Sequence, residues 1–193
     1  MGSIARSLRF RLNILAVADG NQLPGEPHTL WPEVEKYLSS HAPEVVIISQ
    51  AWGWKLQKDA SDLSAAILHL QSMGAHVILL TQPPTLPPEA NREGIRNGAA
   101  APFFETPEAR ATRLRGNALV RSFARDNVTV IDLSAPFSDA AGGIRVIGDD
   151  GHFLFQDPGH LSNFGLATIR PLLEAAIKTV LQQSMLKQDP GQR

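Results

Sequence analysis

An acid and an imidazole stand three residues apart in Gln156-Asp157-Pro158-Gly159-His160-Leu161-Ser162-Asn163-Phe164-Gly165. Across a Pro-Gly turn, the Asp157 carboxylate can take the Nδ1–H of His160. That contact fixes the tautomer and puts the basic lone pair on Nε2, as a general base requires. Ser162 follows and suits the cap of the helix that begins next. A turn just ahead of a helix is also where α/β proteins place working residues, beyond the carboxyl ends of their strands. The same residues suit an ordinary solvated loop in which Ser162 only caps a helix, and turn chemistry alone leaves both open.

The elements that must position this turn alternate. Phe10–Ala18 reads as a strand, broken by Asp19-Gly20-Asn21, and Trp31–Leu38 as a short amphipathic helix. Glu44–Gln50 is a continuous β-branched run, the mark of a parallel strand covered on both faces. Ala60–Met73 predicts a helix closed by Gly74, and His76–Leu80 a strand ended by Gln82-Pro83-Pro84. Residues 83–106 are rich in Pro, Ala and Gly, and so long a stretch without periodicity predicts a lid, a substrate loop or partial disorder. Thr106 caps a helix from Pro107 to about Arg125, and Val128–Leu133 is a further strand. Gly142-Gly143 and Asp149-Asp150-Gly151 mark turns around a hairpin. The last helix is expected from Asn163 to about Leu186, with Leu166, Ile169, Leu173, Ile177 and Val180 as its buried stripe and a kink or restart at Pro171. This alternation predicts an α/β three-layer sandwich with a central parallel sheet, as one domain over residues 1–187 with a polar tail from 188 to 193.

A length of 193 residues is that of one ordinary domain. The net charge of −1 gives no electrostatic case for nucleic acid or an anionic membrane. There is no cysteine, which excludes disulfides and thiolate metal sites. No apolar run approaches the roughly 20 residues of a membrane-spanning helix, and residues 1–11 carry Arg6, Arg9 and Arg11 without the apolar core of a secretory signal.

Asp157-x-x-His160-Leu161-Ser162-x-x-Gly165 resembles the last motif block of the SGNH (GDSL-type) hydrolases. Its Leu-Ser-x-x-Gly extension looks most like the SGNH domain fused to bacterial acyltransferase-3 membrane proteins, which O-acetylate cell-surface polysaccharides. Glu44–Trp54, Val77–Pro84, Val128–Leu133 and Gly151–Phe155 are similar, in order and spacing, to the segments that precede that block. The resemblance implies a flavodoxin-like sheet and ester chemistry by a Ser-His-Asp triad, with Asp157 and His160 as orienter and base. It also implies an acylated saccharide or other small ester as substrate, an extracytoplasmic (periplasmic) setting, a membrane acyltransferase domain in a longer parent, and no cofactor.

One departure matters: the family's nucleophile lies in a Gly-Asp-Ser motif after the first strand, and no Gly-Asp-Ser occurs here. The better alignment makes Phe10–Ala18 the family's second strand, so the first strand and the nucleophile are expected to lie outside this chain. Ser49 lies near a strand end and Ser134 follows a strand, but strand-interior or capping roles are commoner for such residues. The backbone N–H groups of Trp52-Gly53-Trp54 are candidates for an oxyanion hole.

Two other readings remain. Trp52 and Trp54 would stack on sugar rings in a non-catalytic carbohydrate-binding domain on the same scaffold, although core packing suits at least one of them. Asp149, Asp150, His152, Asp157 and His160 are oxygen and imidazole groups close enough in sequence to suggest a metal-dependent hydrolase, although Asp-Asp-Gly is also a plain turn. His28, His41, His69 and His76 show no partner at motif spacing.

Overall fold

The computed structural model describes residues 31–41, 43–57 and 60–188, with the side chains of residue 31 and of residues 184–188 outside that description. The expected strand Phe10–Ala18, the turn at Asp19, His28 and the end of the polar tail lie outside the described residues.

Three strands form a parallel sheet in the order β1 (Val45–Ser49), β2 (His76–Leu80) and β3 (Val128–Ile131). Val45 pairs with His76 and Val77 with Val128, so the strands run in step to their carboxyl ends. The continuous apolar runs have the cause anticipated from sequence: alternate residues face two separate cores. Val46, Ile48, Val77, Leu79 and Val128 pack with Leu38 of α1 (Trp31–His41), with Leu63, Ile67 and Leu70 of α3 (Ser61–Ser72), and with Val120 of α5 (Pro107–Arg121). Val45, Ile47, Ile78 and Leu80 pack on the other side with Phe137, Leu154 and Phe155, and with Ile169 and Val180 of α6 (Asn163–Gln188). The described chain is therefore the three-layer α/β arrangement expected.

Local signals set several helix ends. The Thr106 hydroxyl accepts from Ala109 N, with Pro107 in the first turn. Gly74 follows α3 at φ +84, a conformation that penalises any residue with a Cβ.

Four expectations need correction. Residues 83–106 are ordered: they hold a 3₁₀ turn at Pro88–Ala90 and the short helix α4 (Arg92–Arg96), capped by Asn91. Their order comes from long-range bonds that composition does not reveal, among them Thr85 N to Glu105 Oε1 at 2.9 Å. α6 continues through Pro171 without a restart. Ala167, whose carbonyl loses its helical partner there, is exposed and can be hydrated. Leu166 is 51% exposed, whereas Ile169 and Val180 are buried. The apolar stripe therefore begins only at Ile169. The expected hairpin around Gly142 and Asp150 is a set of isolated bridges, Ser138 with Ile144 and Ile147 with Phe153.

Candidate active site

The turn between Phe155 and α6 folds on itself. Gln156 N donates to His160 O at 2.8 Å, and Asp157 Oδ1 accepts from Gly159 N and His160 N, both at 2.9 Å. The same carboxylate meets His160 Nδ1 at 2.9 Å through Oδ1 and 2.8 Å through Oδ2. Asp157 and His160 are thus in direct contact, and the backbone bonds lock the carboxylate before the imidazole uses it. Nδ1–H donation to a carboxylate selects the tautomer with its basic lone pair on Nε2. Partial burial is the strongest single influence on Asp157 and raises its pKa. The Gly159 N–H, the His160 ring and N–H and the His160 charge together outweigh it, so the carboxyl is held below its ordinary value.

Three contacts moor the turn to the fold. Leu86 N, in the segment after β2, donates to Pro158 O at 3.0 Å. Ser162 N donates to Leu154 O at 2.9 Å, while Ser162 Oγ donates to Phe153 O at 2.5 Å and accepts from Phe164 N and Gly165 N, both at 3.2 Å. Ser162 is therefore a cap and strap. Gly165 is required by close approach, because a Cβ there would sit 2.0 Å from Leu154 O. The Leu-Ser-x-x-Gly extension thus fixes the start of α6 against the strand-like segment carrying Leu154.

The two tryptophans part company. Trp52 is wholly buried, and its indole N–H donates to Leu80 O at 2.6 Å. It has no face for a sugar, which corrects the expectation that it stacks on one. Trp54 is 73% exposed. The division follows from the approach of α2 (Trp52–Lys55) to α5, where a Cβ on Gly116 would lie 2.5 Å from Gly53 N. The helices touch backbone to backbone and bury the Trp52 side.

The N–H groups suggested for an oxyanion hole are already engaged: Trp52 N with Gln50 O at 2.9 Å, Gly53 N with Gln82 Oε1 at 3.2 Å, and Trp54 N with Ala51 O at 2.9 Å. The sequence reading missed Gln50. It sits at the carboxyl end of β1, 9% exposed, and its Nε2 has no partner among the described residues. A polar side chain two residues past Ile48, the last of a run of buried aliphatics, was the available signal.

The metal alternative does not assemble. Asp149 pairs with Arg145 at 3.0 Å, Asp150 Oδ1 accepts from His152 N at 3.1 Å, and the His152 ring stacks on Phe164 at 3.8 Å. Among the described residues no three carboxylate or imidazole groups converge as a metal site would need. The other described histidines have partners of their own: His41 with Tyr37 O at 2.8 Å, His69 with Glu35 at 3.2 Å and His76 with Thr129 at 2.8 Å.

Comparisons with known proteins bear on the fold that carries this turn. The family profile described as "SGNH domain (fused to AT3 domains)" matches residues 25–175. The chain belongs to this family. Among solved structures, the periplasmic domain of a lipopolysaccharide acetyltransferase from Salmonella ser. Paratyphi A aligns with TM-score 0.58 and 13% identity over 76% of this chain. The chain spans 61% of that domain's length. A GDSL-like lipase from Bacteroides thetaiotaomicron aligns with TM-score 0.46 and 14% identity, over 77% of this chain and 68% of its own. No curated protein sequence matches significantly. The fold is accordingly that of an SGNH domain.

Proposed function

We propose that this SGNH domain handles acetyl esters of carbohydrates, with Asp157 and His160 as the orienter and base of a Ser-His-Asp mechanism. One observation carries the reading: both Asp157 oxygens lie within 2.9 Å of His160 Nδ1 in a turn braced by two backbone N–H groups. In the reaction a serine Oγ attacks the ester carbonyl carbon while its proton passes to His160 Nε2. The tetrahedral oxyanion collapses, the same proton goes to the leaving oxygen, and an acyl-serine remains. Water then gives hydrolysis, and a sugar hydroxyl gives O-acyl transfer.

The nucleophile is the element this sequence does not supply in its usual form, since Gly-Asp-Ser is absent. Ser162 is committed to the turn, and Ser134 Oγ accepts from Arg113 at 3.1 Å. On this reading the chain holds the acid–base half of the triad. Its setting is extracytoplasmic, beside a membrane acyltransferase domain. A periplasmic domain among its structural neighbours supports that setting, and no helix of the described residues is long and apolar enough to cross a membrane.

The test combines intact mass after treatment with a fluorophosphonate serine probe and NMR titration with an O-acetylated saccharide. The expected result is no adduct, with the acetylated sugar shifting the His160 ring and Asp157→Ala abolishing that shift. An adduct that disappears in His160→Ala would replace the missing-nucleophile part of the proposal with an esterase complete in itself. A His160 ring indifferent to every acetylated sugar would overturn the whole. Trp54 favours the second reading, a non-catalytic carbohydrate-binding domain, because its ring is exposed and able to stack. Saccharide binding that survives His160→Ala but not Trp54→Ala would select it.

A further inference from the structure

A cleft separate from the Asp157 turn opens at the carboxyl ends of β2 and β3. It measures about 170 Å³, and its walls include Pro84, Arg110, Arg113, Arg121, Ser134 and Ser138. That volume is an order of magnitude above the ~15 Å³ that admits one water. Its floor is rigid. Arg113, 7% exposed at the side chain, grips Glu105 through Nε at 2.8 and 3.0 Å and through Nη2 at 2.5 Å. Glu105 in turn holds Thr85 N at 2.9 Å. This pair is internally neutral, so the charge offered to a ligand comes from elsewhere.

Arg110 supplies it, and Arg121, itself paired with Asp132, adds donors rather than net charge. Arg110, exposed in the first turns of α5, has no carboxylate partner among the described residues. Arg121 uses Nη2 on Asp132 at 2.5 Å and keeps other N–H groups for a ligand. Ser134 Oγ accepts from Arg113 Nη1 at 3.1 Å, which directs its own O–H elsewhere and polarises it as a donor. Ser138 Oγ donates to Ser134 O at 3.0 Å, holding that loop in place. Forked cations beside a hydroxyl donor, above a neutralised floor, are the requirements for a carboxylate or a phosphate.

The cleft is a near neighbour of the catalytic turn. Pro84 lines it, and Leu86, two residues on, donates to Pro158 O. Two extended residues cover about 7 Å. We infer that the cleft binds the anionic substituent, carboxylate or phosphate, of a saccharide whose ester lies toward His160. The inference takes the ester from the proposed function, while the anion site stands on its own geometry.

The test uses probes with no ester, so its failure cannot be confused with failure of the ester chemistry. Sodium glucuronate, glucose 6-phosphate and glucose are titrated into the full chain, and binding is read from the amide shifts of Ser134, Ser138 and Gly142. One or both anions should bind at these amides and glucose should not, and the stronger anion identifies the substituent. Arg110→Ala should weaken that binding about tenfold. Arg115→Ala removes the same charge from the exposed face of α5 outside the cleft and should leave it unchanged. Equal binding of glucose, silence at these amides with both anions, or equal losses in the two variants would each overturn the inference.

Discussion

The turn at Asp157 and the exit of β2 are both dense in hydrogen bonds, but they draw their partners from opposite distances. Asp157 reaches no further than Gly159 and His160, and its side chain and that of His160 stay 44% and 54% exposed. The β2 exit is tied to the rest of the chain. Thr81 Oγ1 donates to Asp132 and accepts from Leu133 N, 52 residues away. Asn117, wholly buried, clamps Gln82 by both its N–H and its carbonyl. Glu105 holds Thr85, and Leu86 then holds Pro158. The Asp–His pair is thus built locally and left accessible, while its position in the molecule is set by a segment with long-range, largely buried bonds.

The largest effect should come from breaking the buried end of this contrast. Arg113→Met leaves Glu105, 4% exposed, without its cation, and removing one partner of a buried pair costs about 3–5 kcal/mol. Urea denaturation should show that loss, while the His160 ring signal still reports its bond to Asp157. A loss below about 1 kcal/mol would mean that the pair is not desolvated as described.

Gly165→Ala tests the joint between the two regions. Its Cβ would press on Leu154 O, and overpacking of this kind typically costs about 1–3 kcal/mol. Because the clash lies at the start of α6, the His160 resonances should move as well. Lowered stability with an unmoved His160 would show that the turn is independent of the helix start.

The smallest effect is a titration. Asp157 and Asp132 both have lowered pKa values; in Asp132 too, burial raises the pKa most, and the Ser134 N–H, Arg121 and Thr81 outweigh it. A carboxylate with a depressed folded pKa stabilises fully above its ordinary value of 3.8 and loses that contribution as pH falls through the folded value. Below pH 3.8, protonation of Asp157 should shift Gly159 and His160 amides only, whereas protonation of Asp132 should shift Thr81, Leu133 and Ser134 on two strand ends. Identical footprints would erase the distinction between the two regions.

Much of this was open to reading because it depends on neighbours in sequence. The His76–Leu80 strand, the cap at Thr106 with Pro107, the glycine after α3 and the three-residue step from Asp157 to His160 each need only local geometry. Features that depend on which faces meet were not legible. Identical tryptophans two positions apart became a core anchor and an exposed ring, because α2 meets α5 through Gly53 and Gly116. Leu166 fell outside the stripe that Ile169 begins. A stretch rich in proline and glycine became an ordered wall once Glu105 and Arg113 closed on Thr85. Gln50 and the arginine cleft have no sequence spacing at all, since their partners, or the lack of them, are decided across the sheet. The sequence alone determined that an acid and an imidazole share one Pro-Gly turn, because their i, i+3 spacing is local. The tertiary structure decided what the turn faces, because bonds spanning tens of residues exist only after both cores have closed around the sheet.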